Sequence, residues 1–317
     1  MEPKTSQFLD ALHSGRVLLM DGAMGTELQR AGIPEGECYE AWNLTYPDRV
    51  RAIHQAYAAA GAECLLTHTF QSNGYALGRH GLGGQMEAIN RAALRLCRLA
   101  AGTGRFVLAD VGPIQAHPLV VLADPTIIRL WMRSLLPADA ILLETWSDPE
   151  ALEISELFRN AVPELKSVPF LLSLTYCRNF AQGKQPRGFC TFHPDSSLGK
   201  PPEWYAGQAK AHGFAALGVN CGRDIGMDAV IDIIRCYRQV TDLPLFARPN
   251  AGTPTRVGGR WVYPQTPAMM AERLPELLET GVAMVGGCCG TTPEHIAAFK
   301  PIIDSWNARH RTPGPNS

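Results

Sequence analysis

Eight short apolar runs, each closed by a polar or glycine-rich turn, constrain this chain more than any other feature. They lie at residues 17–20, 63–67, 106–110, 140–144, 169–174, 215–220, 245–248 and 282–285. A strand that is apolar along its whole length must be covered on both faces, and such strands alternating with helices build a parallel sheet. Segments of helical periodicity at residues 47–60, 85–101, 149–162, 202–212, 227–241 and 266–280 supply the covering layer. In the third crossover His117-Pro118, Asp124-Pro125 and Pro137 interrupt the pattern, which leaves a short helix near residues 126–135. Eight such units in 317 residues predict an α/β fold, a single-domain (β/α)8 barrel rather than an open doubly wound sheet. The barrel is expected over residues 1–308. Residues 309–317, with two prolines and a glycine, are expected to form a disordered tail.

Charge excludes some partners. With 29 Lys and Arg against 30 Asp and Glu, the formal net charge is −1, and no basic stripe gives nucleic acid or an anionic membrane a footing. The N-terminus lacks a basic region followed by a signal-length apolar stretch, and Val17-Leu18-Leu19-Met20 is far too short to span a bilayer. A soluble cytoplasmic protein is expected, where thiols stay reduced. Nine cysteines without a regular framework argue against a disulfide scaffold, and Cys64, Cys97 and Cys236 are expected as small buried apolar residues.

In a barrel, chemistry gathers where strands end. Strand one closes on Asp21-Gly22-Ala23-Met24-Gly25-Thr26, strand two on Thr67-His68-Thr69-Phe70, strand three on Asp110 and strand four on Glu144-Thr145. Strand six ends in Asn220-Cys221-Gly222, strand seven in Arg248-Pro249-Asn250-Ala251-Gly252, and strand eight in Gly286-Gly287-Cys288-Cys289-Gly290. Cys221 and Cys288 are 67 positions apart, two β/α units, so strands six and eight flank a single neighbour and their ends can share one ion. Zinc takes thiolates tetrahedrally, and three protein ligands leave a position open for chemistry. The glycines around Cys288 and Cys289 free the backbone to turn both sulfurs to one metal. Taken singly, an adjacent cysteine pair reads as core or as a strained redox pair, and Cys221 as core. The three together, all at glycine-flanked strand ends, point to zinc. Thr292-Pro293-Glu294 reads as a helix start: cap, proline at the first position, acid near the dipole.

The segments Gly218-Val219-Asn220-Cys221 and Val285-Gly286-Gly287-Cys288-Cys289-Gly290-Thr291-Thr292-Pro293-Glu294-His295-Ile296 resemble the signature of homocysteine S-methyltransferases. Asp21-Gly22-Ala23-Met24-Gly25-Thr26-Glu27-Leu28 resembles that family's opening motif. Ala60-Gly61-Ala62-Glu63, Thr67-His68-Thr69-Phe70 and Arg248-Pro249-Asn250-Ala251-Gly252 resemble its other blocks. The similarity runs from about residue 18 to residue 303. It implies a TIM barrel that holds Zn2+ through Cys221, Cys288 and Cys289. Asp21 and Glu144 would take the ammonium group of homocysteine, and the backbone amides of the Gly22, Ala23, Met24 and Gly25 turn would serve its carboxylate. Thr67 and Asn220 are candidates for substrate contacts or for supporting the ligands. A coordinated thiol is deprotonated, whereas a free one is only a few per cent thiolate at neutral pH, so the substrate sulfur itself attacks the methyl group and no protein nucleophile is implied.

The chain departs from the family in places. His68 stands where asparagine is more frequent, residues 178–202 do not match the expected glycine-rich segment, and residues 112–125 form a shorter stretch than in relatives that use S-methylmethionine. Because the sequence ends soon after the last barrel helix, cobalamin or folate modules and the extension of betaine-using relatives are not expected. Residues 248–252 and 263–272 nonetheless look closest to the homocysteine half of cobalamin-dependent methionine synthases. Three activities follow: methylation of homocysteine to methionine by a small onium donor such as S-methylmethionine or betaine; activation of homocysteine for a separate corrinoid protein; or, without catalysis, a zinc or thiol-redox barrel. The barrel helices could also present faces to a second copy.

Overall fold

The computed structural model describes residues 4–114, 125–178, 188–191, 199–222, 224–257 and 260–310. Eight parallel strands make its centre: β1 (Leu18–Leu19), β2 (Cys64–Leu66), β3 (Phe106–Val111), β4 (Ala140–Trp146), β5 (Phe170–Leu174), β6 (Phe214–Asn220), β7 (Leu245–Arg248) and β8 (Met284–Val285). They neighbour one another in chain order, and β8 pairs with β1. The remaining seam, between β1 and β2, is closed by a parallel bridge from Met20 to Cys64, with Asp21 N–H donating to Cys64 O (3.0 Å) and Glu63 N–H to Leu19 O (2.7 Å). The expected (β/α)8 barrel is the fold.

Outside the strands lie α1 (Pro47–Ala59), α2 (Met86–Ala101), α3 (Pro125–Ser134), α4 (Ala151–Ala161), α5 (Pro202–Ala209), α6 (Met227–Arg238), α7 (Pro267–Glu279) and α8 (Pro293–Arg309). The short third helix is present. Arg309, assigned by sequence to the tail, is the last residue of α8; residues 311–317 lie outside the described residues, as do most of the stretches 112–125 and 178–202. No helix among the described residues is long and apolar enough to cross a membrane.

The alternating sides of each strand feed two cores. Leu19, Leu65, Val107, Ala109, Ile141, Leu172 and Val285 face outward onto the helices, while Leu18, Met20, Cys64, Leu66, Leu108, Leu142, Phe246 and Met284 fill the barrel. The inner core is sealed from below by an N-terminal helix, Thr5–Leu12, that sequence inspection did not find; its Phe8 and Leu12 join the inner cluster, and Phe8 meets Phe106 edge-on at 5.3 Å. At the same end Asp139, fully buried, accepts two bonds from Arg98 (2.7 and 3.1 Å), one from Val107 N–H (2.7 Å) and one from Lys4 N–H (2.6 Å). Cys64 and Cys97 are buried as expected, whereas Cys236 is only partly so, because it sits toward the outer side of α6 near Glu203.

Two antiparallel ribbons rise from the strand ends: Tyr176–Arg178 with Phe189–Thr191 after β5, and Thr255–Val257 with Arg260–Val262 after β7. Both stand on the C-terminal side of the barrel, where the polar strand ends converge.

Candidate functional site

β6 ends at Asn220, and the next residue bends sharply. Cys221 takes φ +55°, a left-handed conformation uncommon outside glycine, and Gly222 follows at φ +111°. A side chain at Gly222 would lie 2.3 Å from Tyr176 O, so the turn stays tight and directs the Cys221 sulfur over the mouth. After β8 the chain passes Gly287, where a Cβ would stand 2.3 Å from Thr291 Oγ1. The cysteine turn is then pinned to the segment following β7: Cys288 N–H donates to Pro249 O and Ala251 N–H to Cys289 O, both at 2.9 Å. These two pins let neighbouring cysteines face one point.

The Sγ atoms of Cys221 and Cys289 are 3.9 Å apart, as are those of Cys288 and Cys289, and all three lie within 4.8 Å of one another. Tetrahedral bonds of ~2.3 Å place sulfurs ~3.8 Å apart, so the spacing fits a zinc ion. Among the described residues this is the one group of three or more metal-binding side chains so gathered. Two amides serve it, Asn220 Nδ2 reaching Cys288 Sγ (3.6 Å) and Asn250 Nδ2 reaching Cys221 Sγ (3.7 Å). Thiol hydrogen bonds from Cys288 and Cys289 pull Cys221 down to about 3, while the contact with Cys221 raises Cys288 to about 11 and pushes Cys289 well above the ordinary thiol range. The cluster thus favours a thiolate at Cys221, a fit base for a cation.

Beside the sulfurs lies a second cluster, built on Arg248 at the end of β7. Its Nη1 reaches Glu144 and its Nη2 donates to Asp21 Oδ1 (3.1 Å) and Gly22 O (3.3 Å). Glu144 is delivered by a bulge in β4, where pairing with β5 shifts between Leu143 and Trp146 and Thr145 takes φ +62°. Asn220 braces that bulge through Thr145 N–H (3.2 Å) and Thr145 Oγ1 (2.6 Å), and is itself oriented by Ser173 Oγ (2.6 Å). Burial, opposed by Arg248, lifts Asp21 and Glu144 each to about 7. Asp110, at the end of β3, is raised well above its usual range by burial and by the neighbouring Glu144.

The cysteines, Asp21, Gly22, Ala23, Met24, Gly25, Thr67 and Glu144 all line one cavity of about 640 Å³, while Asn220 sits behind the sulfurs. Thr67 faces Asp110 as well: its hydroxyl accepts Asp110 N–H at 3.0 Å. The amide of Ala23 is already spent on Thr291 Oγ1 (3.2 Å), so the turn offers a carboxylate less than the sequence implied. His68, neutral because burial lowers its pKa, bonds Tyr39 O through Nε2 at 2.8 Å and fastens the loop after β1. Arg248, Asp110 and Asn250 were visible as polar strand ends, but their contacts cross the barrel and carry no local signal. The upper wall adds Tyr39, Phe70, Trp261 and Tyr263.

Comparison with known proteins agrees with this geometry. Methionine synthases of Mycobacterium leprae and Mycobacterium tuberculosis are each 30% identical over 92% of this chain, which spans about a quarter of their length (25%). The metallated form of the homocysteine methyltransferase MmuM from Escherichia coli superimposes with a TM-score of 0.68 at 24% identity, covering 90% of this chain and 96% of that one. Its apo form gives 0.64, likewise at 24% identity, with 92% and 99% covered; at this identity the likeness speaks for the fold. The family model described as homocysteine S-methyltransferase matches residues 18–303, nearly the whole barrel. The chain belongs to the homocysteine S-methyltransferase family.

Proposed function

We propose that this barrel is a zinc-dependent methyltransferase that converts homocysteine to methionine, with Cys221, Cys288 and Cys289 as the metal ligands. The observation that carries it is the convergence of three sulfurs, from the ends of β6 and β8, at the 3.9 Å spacing of a tetrahedral site on the wall of a 640 Å³ cavity. Zinc held there would keep an incoming thiol deprotonated at neutral pH. Asn220 and Asn250 direct N–H groups at the ligand sulfurs, which fixes their orientation. Asp21 and Glu144, with Asp110 behind them, make the acceptor side of the cavity acidic, suited to an ammonium group.

The donor is read from the aromatic part of the cavity wall. Tyr39, Phe70, Trp261 and Tyr263 line it with Glu37 and Glu40 nearby, and aromatic faces beside carboxylates suit an onium methyl donor. The substrate thiolate takes the methyl carbon while the bonding pair leaves with the onium atom, so the donor departs neutral. No side chain forms a bond to the methyl group. A single-domain cytoplasmic protein fits this chemistry, since reduced thiols are its requirement.

The test is metal analysis of the purified chain, followed by methionine formation from homocysteine with S-methylmethionine and with betaine. Zinc near one per chain and methionine from either donor are expected. Turnover only after a methylated corrinoid protein is added would give the chain the thiol-activating role instead. Tight zinc without transfer from any donor would refute the enzyme reading.

A further inference from the structure

Besides the triad at the mouth, the described residues bring one more pair of sulfurs together. In the ribbon after β5, Cys177 stands directly opposite Cys190, with Tyr176 opposite Thr191 and Arg178 opposite Phe189. The two Sγ atoms are 3.8 Å apart, and the Cys177 thiol also reaches Cys190 O at 3.5 Å. Both cysteines are free thiols and half-buried, so a small solute reaches them, whereas Cys64 and Cys97 are sealed in the cores. Opposed residues of an antiparallel pair have Cα atoms ~4.5 or ~5.5 Å apart, and a disulfide accepts ~4.4–6.8 Å. Closure therefore asks for side-chain rotation, which brings the sulfurs to ~2.05 Å while the strands keep their places.

The positions beside the pair are fixed. Tyr176 and Thr191 are buried: Tyr176 OH bonds Tyr237 OH (2.8 Å) and Thr191 Oγ1 meets Tyr205 OH (3.3 Å). Thr191 N–H also donates to Lys200 O at 3.0 Å. Each strand is thus anchored one residue from its cysteine, the first on α6 and the second on α5. The first strand also leans on the turn that carries Cys221. A side chain at Gly222 would fall 2.3 Å from Tyr176 O, and Arg178 Nε donates to Asp224 O (3.3 Å). A metal is a poor occupant for the pair. No third ligating side chain joins it among the described residues, and burial with the Cys177 sulfur pushes Cys190 up to about 11, which keeps it a thiol.

We propose that Cys177 and Cys190 form a redox clamp: a reversible disulfide, made on exposure to a peroxide, that fastens the ribbon against the Cys221 turn. One peroxide takes two electrons from the pair. The S–S bond forms as the O–O bond breaks, and the two thiol protons leave in two molecules of water. A dithiol reductant reverses the bond by exchange. The clamp goes beyond methyl transfer and stands whether or not that reading holds.

The test treats the full chain, supplied with zinc, with an equimolar amount of hydrogen peroxide and maps its disulfides by mass spectrometry after proteolysis. The intact chain should lose the mass of two hydrogen atoms, with Cys177 linked to Cys190, and dithiothreitol should restore it. Cys177→Ser and Cys190→Ser should each abolish the linkage. Amide hydrogen exchange of the turn after Cys221 should slow in the oxidised wild type and stay unchanged in either variant treated alike. Oxidation confined to Cys221, Cys288 and Cys289, or sulfinic acid at Cys177 without a linkage, overturns the pair. A linkage that leaves exchange at the turn unaltered overturns the clamp. Should a serine variant fail to fold, wild type decides alone, by its linkage map and its exchange, reduced against oxidised. If the chain binds no zinc, the metal reading falls, while the peptide map still separates this pair from the triad.

Discussion

The two ends of the barrel each bury a guanidinium against carboxylates, and they use the pairing differently. At the lower end Asp139 has one arginine, two backbone N–H groups and no missing partner; Arg98 gives its remaining bond to Pro137 O at 3.0 Å. At the upper end Arg248 faces Asp21, Glu144 and Asp110, and the cluster leaves Arg248 Nε and Asp110 Oδ1 unsatisfied. The first arrangement is complete within the protein. The second is short of partners and rich in carboxyl groups, and it lies beside a triad of sulfurs. Saturation marks a buried ion pair that holds the fold; a deficit marks one that waits for a ligand.

The largest expected effect tests the upper end. Cys221→Ser, Cys288→Ser and Cys289→Ser should each drop zinc from about one per chain to near none and slow methyl transfer by ~10⁴-fold, with the thermal midpoint of the apoprotein little changed. Full zinc retention in all three would remove the basis of the contrast. The lower end should behave in the opposite way. Arg98→Met strands the buried Asp139 and should cost about 3–5 kcal/mol in denaturant unfolding, while the KM for homocysteine stays within about twofold. A raised KM with intact stability would break the comparison.

A pH series sharpens it. Asp21 and Glu144 are lifted to about 7, so between their ordinary range near 4 and pH 7 the folded chain holds protons that the unfolded chain releases. Their contribution therefore falls as pH rises from about 4 to 7, by on the order of 2–4 kcal/mol in the metal-free protein. Asp21→Asn should flatten that slope; an unchanged slope would mean that the upper carboxyls are not buried acids. The smallest effect concerns the amides: Asn250→Ala should weaken zinc about 10–100-fold by competition with a chelator and leave folding intact.

How much of this was legible depends on the range of the interaction. All eight strands were readable because parallel strands are continuous apolar runs, and the placement of β6 and β8 on either side of β7 followed from the spacing of Cys221 and Cys288. β1 and β8 proved shorter than their apolar runs because regular pairing there covers only Leu18–Leu19 and Met284–Val285. The helix at Thr5–Leu12 was missed because Lys4 provides no side-chain cap and only Phe8 and Leu12 of its eight residues are fully buried. Arg248 was quoted as part of a motif, but a guanidinium that crosses from β7 to β4 and β1 has no signature in local sequence. Nor has the β4 bulge, which depends on Asn220 from β6.

Cys221 carries one more consequence. Its φ of +55° is a backbone state that glycine enters freely and cysteine only at a cost of roughly 1 kcal/mol. Glycine at this position would relax the chain and delete a proposed ligand in the same stroke. A library of variants screened for heat resistance alone would drift toward that exchange and enrich proteins that are sturdier and inert. Selection for robustness should therefore be run on the metal-loaded chain, where the sulfur's hold on the ion outweighs the relief of the turn.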